Sequence, residues 1–303
     1  QGKRNLKVRA MNTSRRSIPA ILCFTGAVCL ALLAGCGVKT GYTPEQATVH
    51  RGAVNEPPPA RPDSLRVLCW NIQYAIEVDQ ALKEIRADSN LAAADIILLQ
   101  EMDPRGARRI PEELGMNHVY AAASVSPQSK NLFGNAVLSK WPILDDRVLT
   151  LPHETMLSGP RRIAVAADID LAGLPIRAVC IHTATMIMGQ DKRVEQARAA
   201  RDSLGGFEGP VIIGGDFNTV SEYEGTLLKQ VMRRLRLQHV RLPDGPTIAN
   251  KIKKVPGTEP VLDHLFYKEF AAGSRGVARQ TTASDHYPIW VVLAVPEPPA
   301  ENE

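Results

Sequence analysis

Cysteine is scarce in this chain of 303 residues, which contains five. Three of the five, Cys23, Cys29 and Cys36, lie near the N-terminus, and only Cys69 and Cys180 lie in the main part of the chain. Two thiols cannot build a disulfide framework or a zinc site, so both of these classes are excluded. We expect two buried free thiols, with a single disulfide bridge between them as the alternative.

Acidic residues are absent from residues 1–17, which contain six lysines and arginines. The apolar stretch "SIPAILCFTGAVCLALLAGC" follows, and it is short for a membrane span. A basic segment, a short apolar stretch and small residues together predict a secretory signal over residues 1–35, with a transmembrane anchor as the alternative. Met11 is a candidate true start, which would make residues 1–10 an upstream extension.

The end of this segment, Leu33-Ala34-Gly35-Cys36, resembles a bacterial lipobox. The resemblance implies that Cys36 carries lipid and anchors an exported protein in the bacterial cell envelope. Because residue 37 is glycine rather than aspartate, it also implies the outer membrane.

A strong excess of basic charge is also absent once the signal is set aside. The whole chain has 36 basic and 32 acidic residues, and six of the basic residues belong to residues 1–35. The remaining 30 basic residues face 32 acidic ones, a net charge of −2. Overall charge therefore gives no argument for a nucleic-acid partner.

Internal repeats are absent, and the composition divides the chain into four parts. After the signal we predict a flexible, proline-rich tether over residues 36–64, one domain over 65–296 and a short tail over 297–303. Strand and helix patterns alternate within the domain, which predicts an α/β (α+β) fold built on sheets. The predicted strands cover 65–72, 95–101, 134–140, 162–170, 175–183, 210–217, 261–267 and 287–295. The predicted helices cover 79–93, 190–205 and 222–236.

Polar residues recur where these apolar strands end, or just before the last strand begins. They are Asn71, Glu101, His182, Asp216, Asn218, Asp263, Asp285 and His286. Ends of strands that open into loops are where α/β proteins place ligands. Each residue taken singly could be a turn former, a helix cap or a core histidine, and it is the recurrence that indicates a site.

The stretch "VIIGGDFN" concentrates this pattern. Alternation puts Asp216 and Asn218 on one face if the strand persists that far. Gly214 and Gly215 leave room for a close approach of backbone or ligand. By the same rule Cys69 lies one layer beneath Asn71. Carboxylates and amides without paired cysteines suit a hard cation such as Mg²⁺, Mn²⁺ or Ca²⁺.

Seven motifs resemble, in order along residues 65–296, those of the endonuclease/exonuclease/phosphatase superfamily. They are "CWNIQ", "LLQEM", "GNAVLSKWPI", "CIHT", "GGDFN", "LDHLFY" and "SDHYPI". The superfamily includes deoxyribonuclease-I-like nucleases, abasic-site endonucleases, sphingomyelinases and inositol-polyphosphate 5-phosphatases. The resemblance implies a four-layer sandwich of two packed mixed β-sheets flanked by helices, acting as a monomeric, metal-dependent phosphoric ester hydrolase.

The resemblance also implies a role for each candidate residue. Glu101 matches the acid that binds the principal metal ion, with Asn71 beside it, and Asp285 matches a further metal-associated acid. Asp216 matches the carboxylate that orients or deprotonates the attacking water. Asn218 matches the amide that holds the substrate phosphate.

Three positions complete the implied site, and a fourth departs from the family pattern. His286 matches the histidine that stabilises the transition state, and Asp263 the acid that orients it. His182 matches a histidine of the deoxyribonuclease and sphingomyelinase branches, where abasic-site endonucleases usually have tyrosine. His264 stands where the family often has an aromatic residue, and we expect it to support the site or the fold.

Two basic features bear on the substrate. Arg161 or Arg162 could reach the phosphate, or lie on the surface as an ordinary arginine. Residues 229–254 contain eight lysines and arginines and a single acid, Asp244. This segment forms either a basic rim for an anionic substrate or a solvated helix face followed by a loop.

These features leave three functions open. The first is a phosphodiesterase or nuclease, although no aromatic ladder for single strands is visible. The second is hydrolysis of a lipid or small-molecule phosphoester, for which the only apolar loop is the short "TMIMGQ" at residues 185–190. The third, a lipoprotein that binds without catalysis, is disfavoured because both Glu101 and His286 are present.

Overall fold

The computed structural model describes residues 48–126, 130–153, 161–249 and 260–297. The predicted signal at 1–35, the lipidation site Cys36 and all but the first residue of the predicted tail lie outside these ranges. Within them, no helix has the length and apolar character needed to cross a membrane.

The described strands form two mixed β-sheets. In spatial order, sheet 1 contains β1 (Val49–Gly52), β4 (Asn117–Val125), β5 (Leu132–Ser139), β3 (Ile96–Met102), β2 (Ser64–Asn71), β13 (Ile289–Ala294) and β12 (Ala271–Val277). Sheet 2 contains β10 (Gln238–His239), β11 (Asp263–Lys268), β9 (Val211–Asp216), β8 (Leu174–His182), β7 (Ile163–Leu171) and β6 (Ile143–Thr150). Each sheet has one parallel pair, β2 with β3 and β8 with β9, and the other pairs are antiparallel.

Helices cover the outer face of each sheet. Near sheet 1 lie α1 (Val78–Ala87), α2 (Ser89–Ala92) and α3 (Gly106–Leu114), and near sheet 2 lie α4 (Gln190–Asp202) and α5 (Glu222–Arg233). Two short 3₁₀ helices span Gln73–Ala75 and Met186–Met188. The predicted four-layer sandwich of two mixed sheets flanked by helices is confirmed.

The period-two pattern of the strands explains why both faces of each sheet are buried. In β2, Val67 and Cys69 face the core between the two sheets, whereas Leu68 and Trp70 face the helices. Both sets are fully buried, since a sheet in the middle of a sandwich has no solvent face.

Helix boundaries differ from the prediction at two places. The helix predicted over 79–93 is divided at Asp88, whose extended backbone ends α1 and whose side chain caps α2 by accepting from Asn90 N and Leu91 N. Helix α3 was not predicted, because Pro111 lies inside it and proline normally marks the end of a helix.

The part of the predicted tether at 36–64 that the structure describes, residues 48–64, is not a free linker. Residues Val49–Gly52 form β1, which pairs with β4 at the edge of sheet 1. Pro59 O accepts a hydrogen bond of 2.9 Å from Trp141 Nε1, so the proline-rich stretch lies against the domain. The edge strands β6 and β12 were also missed, because their polar and glycine-containing sequences lack the pattern of a half-buried strand.

Candidate active site

Strand pairing in sheet 2 brings three predicted residues side by side. The parallel register of β8 with β9 pairs His182 with Asp216, and the antiparallel register of β9 with β11 pairs Asp216 with Asp263. All three side chains are buried. Asp216 therefore lies between a histidine and a second carboxylate at the end of the sheet.

Sheet 1 contributes Asn71 to the same point. Asn71 ends β2, and its Nδ2 donates a 3.1 Å hydrogen bond to Asp216 Oδ2. Its Oδ1 accepts from Gln73 N at 3.1 Å, which fixes the orientation of the amide. This contact joins the two sheets at the site.

Glu101 reaches the site through an irregularity in β3. The register of β3 against β5 shifts between Leu99 and Met102, and Glu101 has a φ of +58°. In a regular strand the side chain of Glu101 would point towards the helices, as that of Leu99 does. Because of the bulge, Met102 points towards the helices instead and is buried there. Glu101 Oε1 then lies 3.9 Å from His182 Nε2.

The backbone after β2 is unusual and contacts Glu101. Gln73, Tyr74 and Ala75 all have positive φ, between 48° and 55°, although none is glycine. Tyr74 N donates a 3.1 Å hydrogen bond to Glu101 Oε2. Such backbone is costly and concentrates at functional sites. The sequence gives no signal for it.

His286 lies in the loop before β13 and pairs with Asp263. Its Nδ1 is 2.9 Å from Asp263 Oδ2, and its Nε2 is 3.7 Å from Asp216 Oδ2. Its carbonyl accepts from Trp70 Nε1 at 2.8 Å, and its N–H donates to Ser284 Oγ at 3.0 Å. The imidazole is therefore held from the backbone and from Nδ1, with Nε2 directed towards Asp216.

Asp216, Asp263 and His286 offer three ligand atoms within 4.8 Å of one another, which is a possible metal-binding spacing. Because His286 Nδ1 is already engaged with Asp263, we interpret the group as a hydrogen-bonded acid–histidine pair beside a second acid.

The two histidines differ in protonation. Burial lowers the pKa of His182 to about 4, and the adjacent Arg162 guanidinium acts in the same direction. Burial also lowers the pKa of His286, but the carboxylates of Asp263 and Asp216 outweigh it and raise that pKa to about 10. At neutral pH His182 is neutral and His286 is an imidazolium.

Asp216 is ionised in this environment. Burial by itself raises its pKa, but His286, His182 and a 2.8 Å hydrogen bond from Asn218 N outweigh burial and hold the pKa well below its usual range. The site therefore contains an ionised carboxylate between a neutral and a charged imidazole.

The expected side-by-side arrangement of Asp216 and Asn218 on one strand is wrong. Strand β9 ends at Asp216, and Asn218 has a φ of +50°. A turn closed by the contact between Asn218 N and Asp216 Oδ1 brings the two together instead. Asn218 Nδ2 donates to Thr183 O at 3.2 Å.

The two glycines before Asp216 serve packing. A Cβ on Gly214 would lie 2.4 Å from Leu265 Cδ2 and 2.9 Å from Leu98 Cδ1. A Cβ on Gly215 would overlap the Ile181 carbonyl at 1.7 Å. The sequence left open whether backbone or ligand approaches these glycines. The atoms closest to them belong to the neighbouring strands and to the opposite sheet.

Both cysteines are free and buried beneath the site, as expected. Gln100 lies between them, with Nε2 3.0 Å from Cys180 Sγ and Oε1 3.8 Å from Cys69 Sγ. This buried glutamine was not predicted. Its position follows from the alternation of β3, in which Leu98 and Gln100 face sheet 2.

The two candidate arginines make different contacts. Arg162 is buried, with Nη1 2.9 Å from His182 Nε2, and it lowers the pKa of Glu101 against the effect of burial. Arg161 donates from Nε to Ala123 O at 2.9 Å, at the end of β4. Arg162 is thus part of the site, whereas one donor of Arg161 is committed to the backbone.

His264 supports the fold behind the site. Its Nε2 is 2.7 Å from Thr219 Oγ1, and its Nδ1 is 3.1 Å from His239 Nε2. Thr219 Oγ1 also donates to Val261 O at 2.6 Å, so it accepts from His264. The contacts link the exit of β9 to the entry of β11.

In the basic segment at residues 229–254, the two residues that contact His286 and Asp263 are not basic. Ile248 pairs with His286, and Thr247 Oγ1 accepts from Asp263 N at 3.2 Å. Lys229 and Arg233 lie on α5, and the lysines at 251, 253 and 254 fall outside the described residues. Thr247 was not predicted as a site residue.

The chain matches the model of the endonuclease/exonuclease/phosphatase family over residues 68–286. The chain belongs to this family. Its members are hydrolases that act on phosphoesters and depend on metal ions.

The chain is also similar to a curated relative and to a solved structure. A UPF0294 protein of Vibrio cholerae is 35% identical over 234 residues, which cover 75% of this chain and 76% of that protein. An endonuclease/exonuclease/phosphatase structure from Beutenbergia cavernae superposes with a TM-score of 0.65 at 21% identity, covering 79% of this chain and 73% of that one.

Two further solved structures share the fold. The mannosyl-6-phosphatase Bt3783 of Bacteroides thetaiotaomicron gives a TM-score of 0.59 at 17% identity, covering 76% of this chain and 99% of that one. D. rerio TDP2, complexed with a single-strand DNA product, gives 0.60 at 15% identity, covering 77% and 99%. At these identities the likeness concerns the fold alone.

The family's metal requirement fits residues of the site. Burial, together with the nearby Asp216 and Asp285 carboxylates, raises the pKa of Glu101 to about 7 against the lowering effect of Arg162. A cation beside Glu101 would favour its ionised form. Together with the Asn71 amide, these are the oxygen ligands that hard divalent cations prefer.

Proposed function

We propose that this protein hydrolyses phosphodiesters with a divalent cation, Mg²⁺, Mn²⁺ or Ca²⁺, and that Asp216 orients the attacking water. The observation that carries the proposal is that Asp216 Oδ2 lies 3.3 Å from His182 Nε2 and 3.7 Å from His286 Nε2, and that the pKa values of these two histidines are shifted in opposite directions. An enzyme that assigns acid and base roles separates the pKa values of neighbouring groups in this way.

Each residue has a distinct task in the proposed reaction. Ionised Asp216 accepts a hydrogen bond from the water and directs it at phosphorus. The His286 imidazolium offers its Nε2 proton to the developing charge on the phosphate oxygens, and Asp263 keeps it charged. Neutral His182, held against Arg162, contacts Asp216 at 3.3 Å.

Three side chains would hold the cation, namely Glu101, Asn71 and Asp285. Bound there, the cation would supply positive charge to a phosphoryl oxygen. Arg162 is buried beneath the same groups and places a second positive charge near the phosphate.

Nucleic acid is the first substrate class that we propose. The family assignment and the TDP2 neighbour with its DNA product support it. A lipid or small-molecule phosphoester is the second class. The exposure of Met186 and Ile187, on the loop that follows His182, favours a substrate with an apolar part.

A panel of phosphoesters tests the proposal. The panel contains DNA, RNA, sphingomyelin, inositol phosphates and bis(p-nitrophenyl) phosphate, each assayed with Mg²⁺ and then with EDTA. We expect EDTA-sensitive hydrolysis that Asp216→Asn reduces by about 10²- to 10⁴-fold. Asp145→Asn, on the exposed edge strand β6, is the matched control and should retain full activity.

Two results would contradict the proposal. One is the absence of EDTA-sensitive turnover for every member of the panel. The other is an Asp216→Asn protein as active as the unmodified chain.

We also propose export to the bacterial cell envelope with lipid on Cys36. Labelling of expressing cells with radioactive palmitate should mark the protein, and Cys36→Ala should abolish the label. Equal labelling of both would contradict lipidation at this cysteine.

A further inference from the structure

Most of the large apolar side chains that are exposed among the described residues lie on loops beside the candidate active site. These side chains, here called the apolar rim, are Ile76, Met186, Ile187, Val220 and Tyr223. Ile187 is 84% exposed and Tyr223 is 63% exposed. Exposed apolar side chains that cluster around a functional site mark an interaction surface.

The topology places the rim at one end of the sandwich. Its loops follow β2, β8 and β9, the strands that end at Asn71, His182 and Asp216. The hydrogen bond between Asn71 and Asp216 shows that the ends of both sheets meet there. The rim therefore borders the entrance to the site.

A buried ion pair holds two of the rim loops. Arg193 Nε and Nη2 donate to the two oxygens of Glu224 at 2.7 and 2.8 Å. Arg193 Nη1 also donates to Thr185 O, just before Met186, and Glu224 Oε2 accepts from Val220 N. The apolar side chains are thus carried on anchored backbone.

The chain also enters the fold at the end that bears the site. Across sheet 1, Met102 pairs with Gly134, and Gly134 pairs with Ala122. Ala122 N donates in turn to Thr48 O. Thr48, which precedes β1, therefore lies level with the end of β3, with β4 and β5 between them.

Charge around the rim does not suit a polyanion. Exposed charged residues adjoin it in the sequence at Glu77, Asp191, Lys192 and Glu222, three acids and one base. The immediate sequence neighbours of the rim therefore offer no net positive charge to a phosphate backbone. An apolar or zwitterionic surface fits better.

We propose that the apolar rim docks the site onto a lipid bilayer, so that the phosphoester is taken from a membrane surface. The inference rests on the proposed function for its catalytic part. Lipid on Cys36 would reinforce the docking. The chain from Cys36 to Thr48 extends to at most about 40 Å and joins the fold at the rim end.

Flotation with phosphatidylcholine vesicles tests the docking. The mature form without its lipidated cysteine, residues 37–303, removes both the lipid and the apolar signal, and it should float with the vesicles. Adding Met186→Ser and Ile187→Ser should reduce the bound fraction about tenfold, because two large apolar side chains no longer enter the bilayer. Tyr223→Ser, in the first turn of α5, should also reduce the bound fraction. Thermal unfolding verifies that each variant folds.

Leu144→Ser is the matched control. Leu144 is 65% exposed on β6 and lies at the opposite end of sheet 2 from His182. This variant should float like the unsubstituted 37–303 chain. Hydrolysis of soluble bis(p-nitrophenyl) phosphate should be unchanged in Tyr223→Ser and in the control.

The possible outcomes separate docking from catalysis. Absence of flotation, or an equal loss in Leu144→Ser, overturns the docking. If the rim variants still bind vesicles but no longer hydrolyse DNA, the docking proposal is wrong and the rim binds nucleic acid. Flotation that depends on the rim, without hydrolysis of any diester, supports the docking and refutes the proposed function.

Discussion

Removing one charge of the Arg193–Glu224 pair should strongly destabilise the fold. The side chains are 3% and 1% exposed, and the contact is bidentate. Glu224→Gln keeps the shape of the side chain but leaves the Arg193 guanidinium buried without a carboxylate. The pair connects α4 to α5, so its loss should destabilise the packing of both helices that cover sheet 2.

The magnitude follows from this burial. Removing one partner of a buried ion pair costs about 3–5 kcal/mol, since the remaining charge is desolvated without compensation. For a domain of this size each kcal/mol shifts the midpoint of thermal unfolding by about 2–4 °C, so we expect a decrease of about 6–20 °C. Replacing both residues, as Arg193→Met with Glu224→Leu, should cost less than Glu224→Gln alone, because no unpaired charge remains.

Urea unfolding, followed by circular dichroism at neutral pH, measures these differences. The control is Asp145→Asn, which breaks the ion pair with Arg147 at the surface and should change the free energy of unfolding by about 1 kcal/mol or less. Single-variant effects of Arg193→Met and Glu224→Leu that add to the effect of the double variant within about 0.5 kcal/mol would refute the coupling.

Three further predictions concern packing, catalysis and pH. Gly214→Ala should lower the free energy of unfolding by about 1–3 kcal/mol, because its Cβ would lie 2.4 Å from Leu265 Cδ2, and an unchanged urea midpoint would contradict this. Asp263→Asn should lower the pKa of His286 from about 10, so the basic limb of the pH–rate profile should move to lower pH, and an unmoved limb would show that Asp263 does not set this charge. Burial lowers the pKa of His239 to about 4 in the folded protein, against about 6.5 in the unfolded chain. The contribution of neutral His239 to stability is therefore complete above pH 6.5 and is lost as the pH falls towards 4. His239→Gln should therefore lose about 2 kcal/mol less stability over that window than the unmodified chain, and equal losses in urea titrations would exclude the effect.

Alternation along the strands made much of the site predictable. Cys69 was expected one layer beneath Asn71, and both do face the other sheet, because a strand buried on two faces keeps a strict period of two. The strand ends at His182 and Asp216 were also evident from where the apolar runs stop. Local hydrophobic pattern therefore determined the layers and the end of the sheets that bears the polar residues.

Local pattern failed where the backbone departs from regular geometry. The bulge at Glu101 and the turn at Asn218 both use positive φ in residues that are not glycine. Such backbone has no sequence signature, since it is imposed by the surrounding packing. The buried partners Gln100 and Thr247 were missed for a related reason, because each contacts residues distant in the chain.

The sequence by itself determined the family, the alternating elements and the residues capable of phosphoester chemistry, because these follow from motifs and short-range periodicity. Only the tertiary structure decided that His182 is neutral while His286 is charged. Burial and the distances to Arg162, Asp263 and Asp216 set those pKa values, and neither is a property of local sequence. The apolar rim is likewise a property of the tertiary structure, because it lies on segments that follow three separate strands and come together at one end of the sandwich.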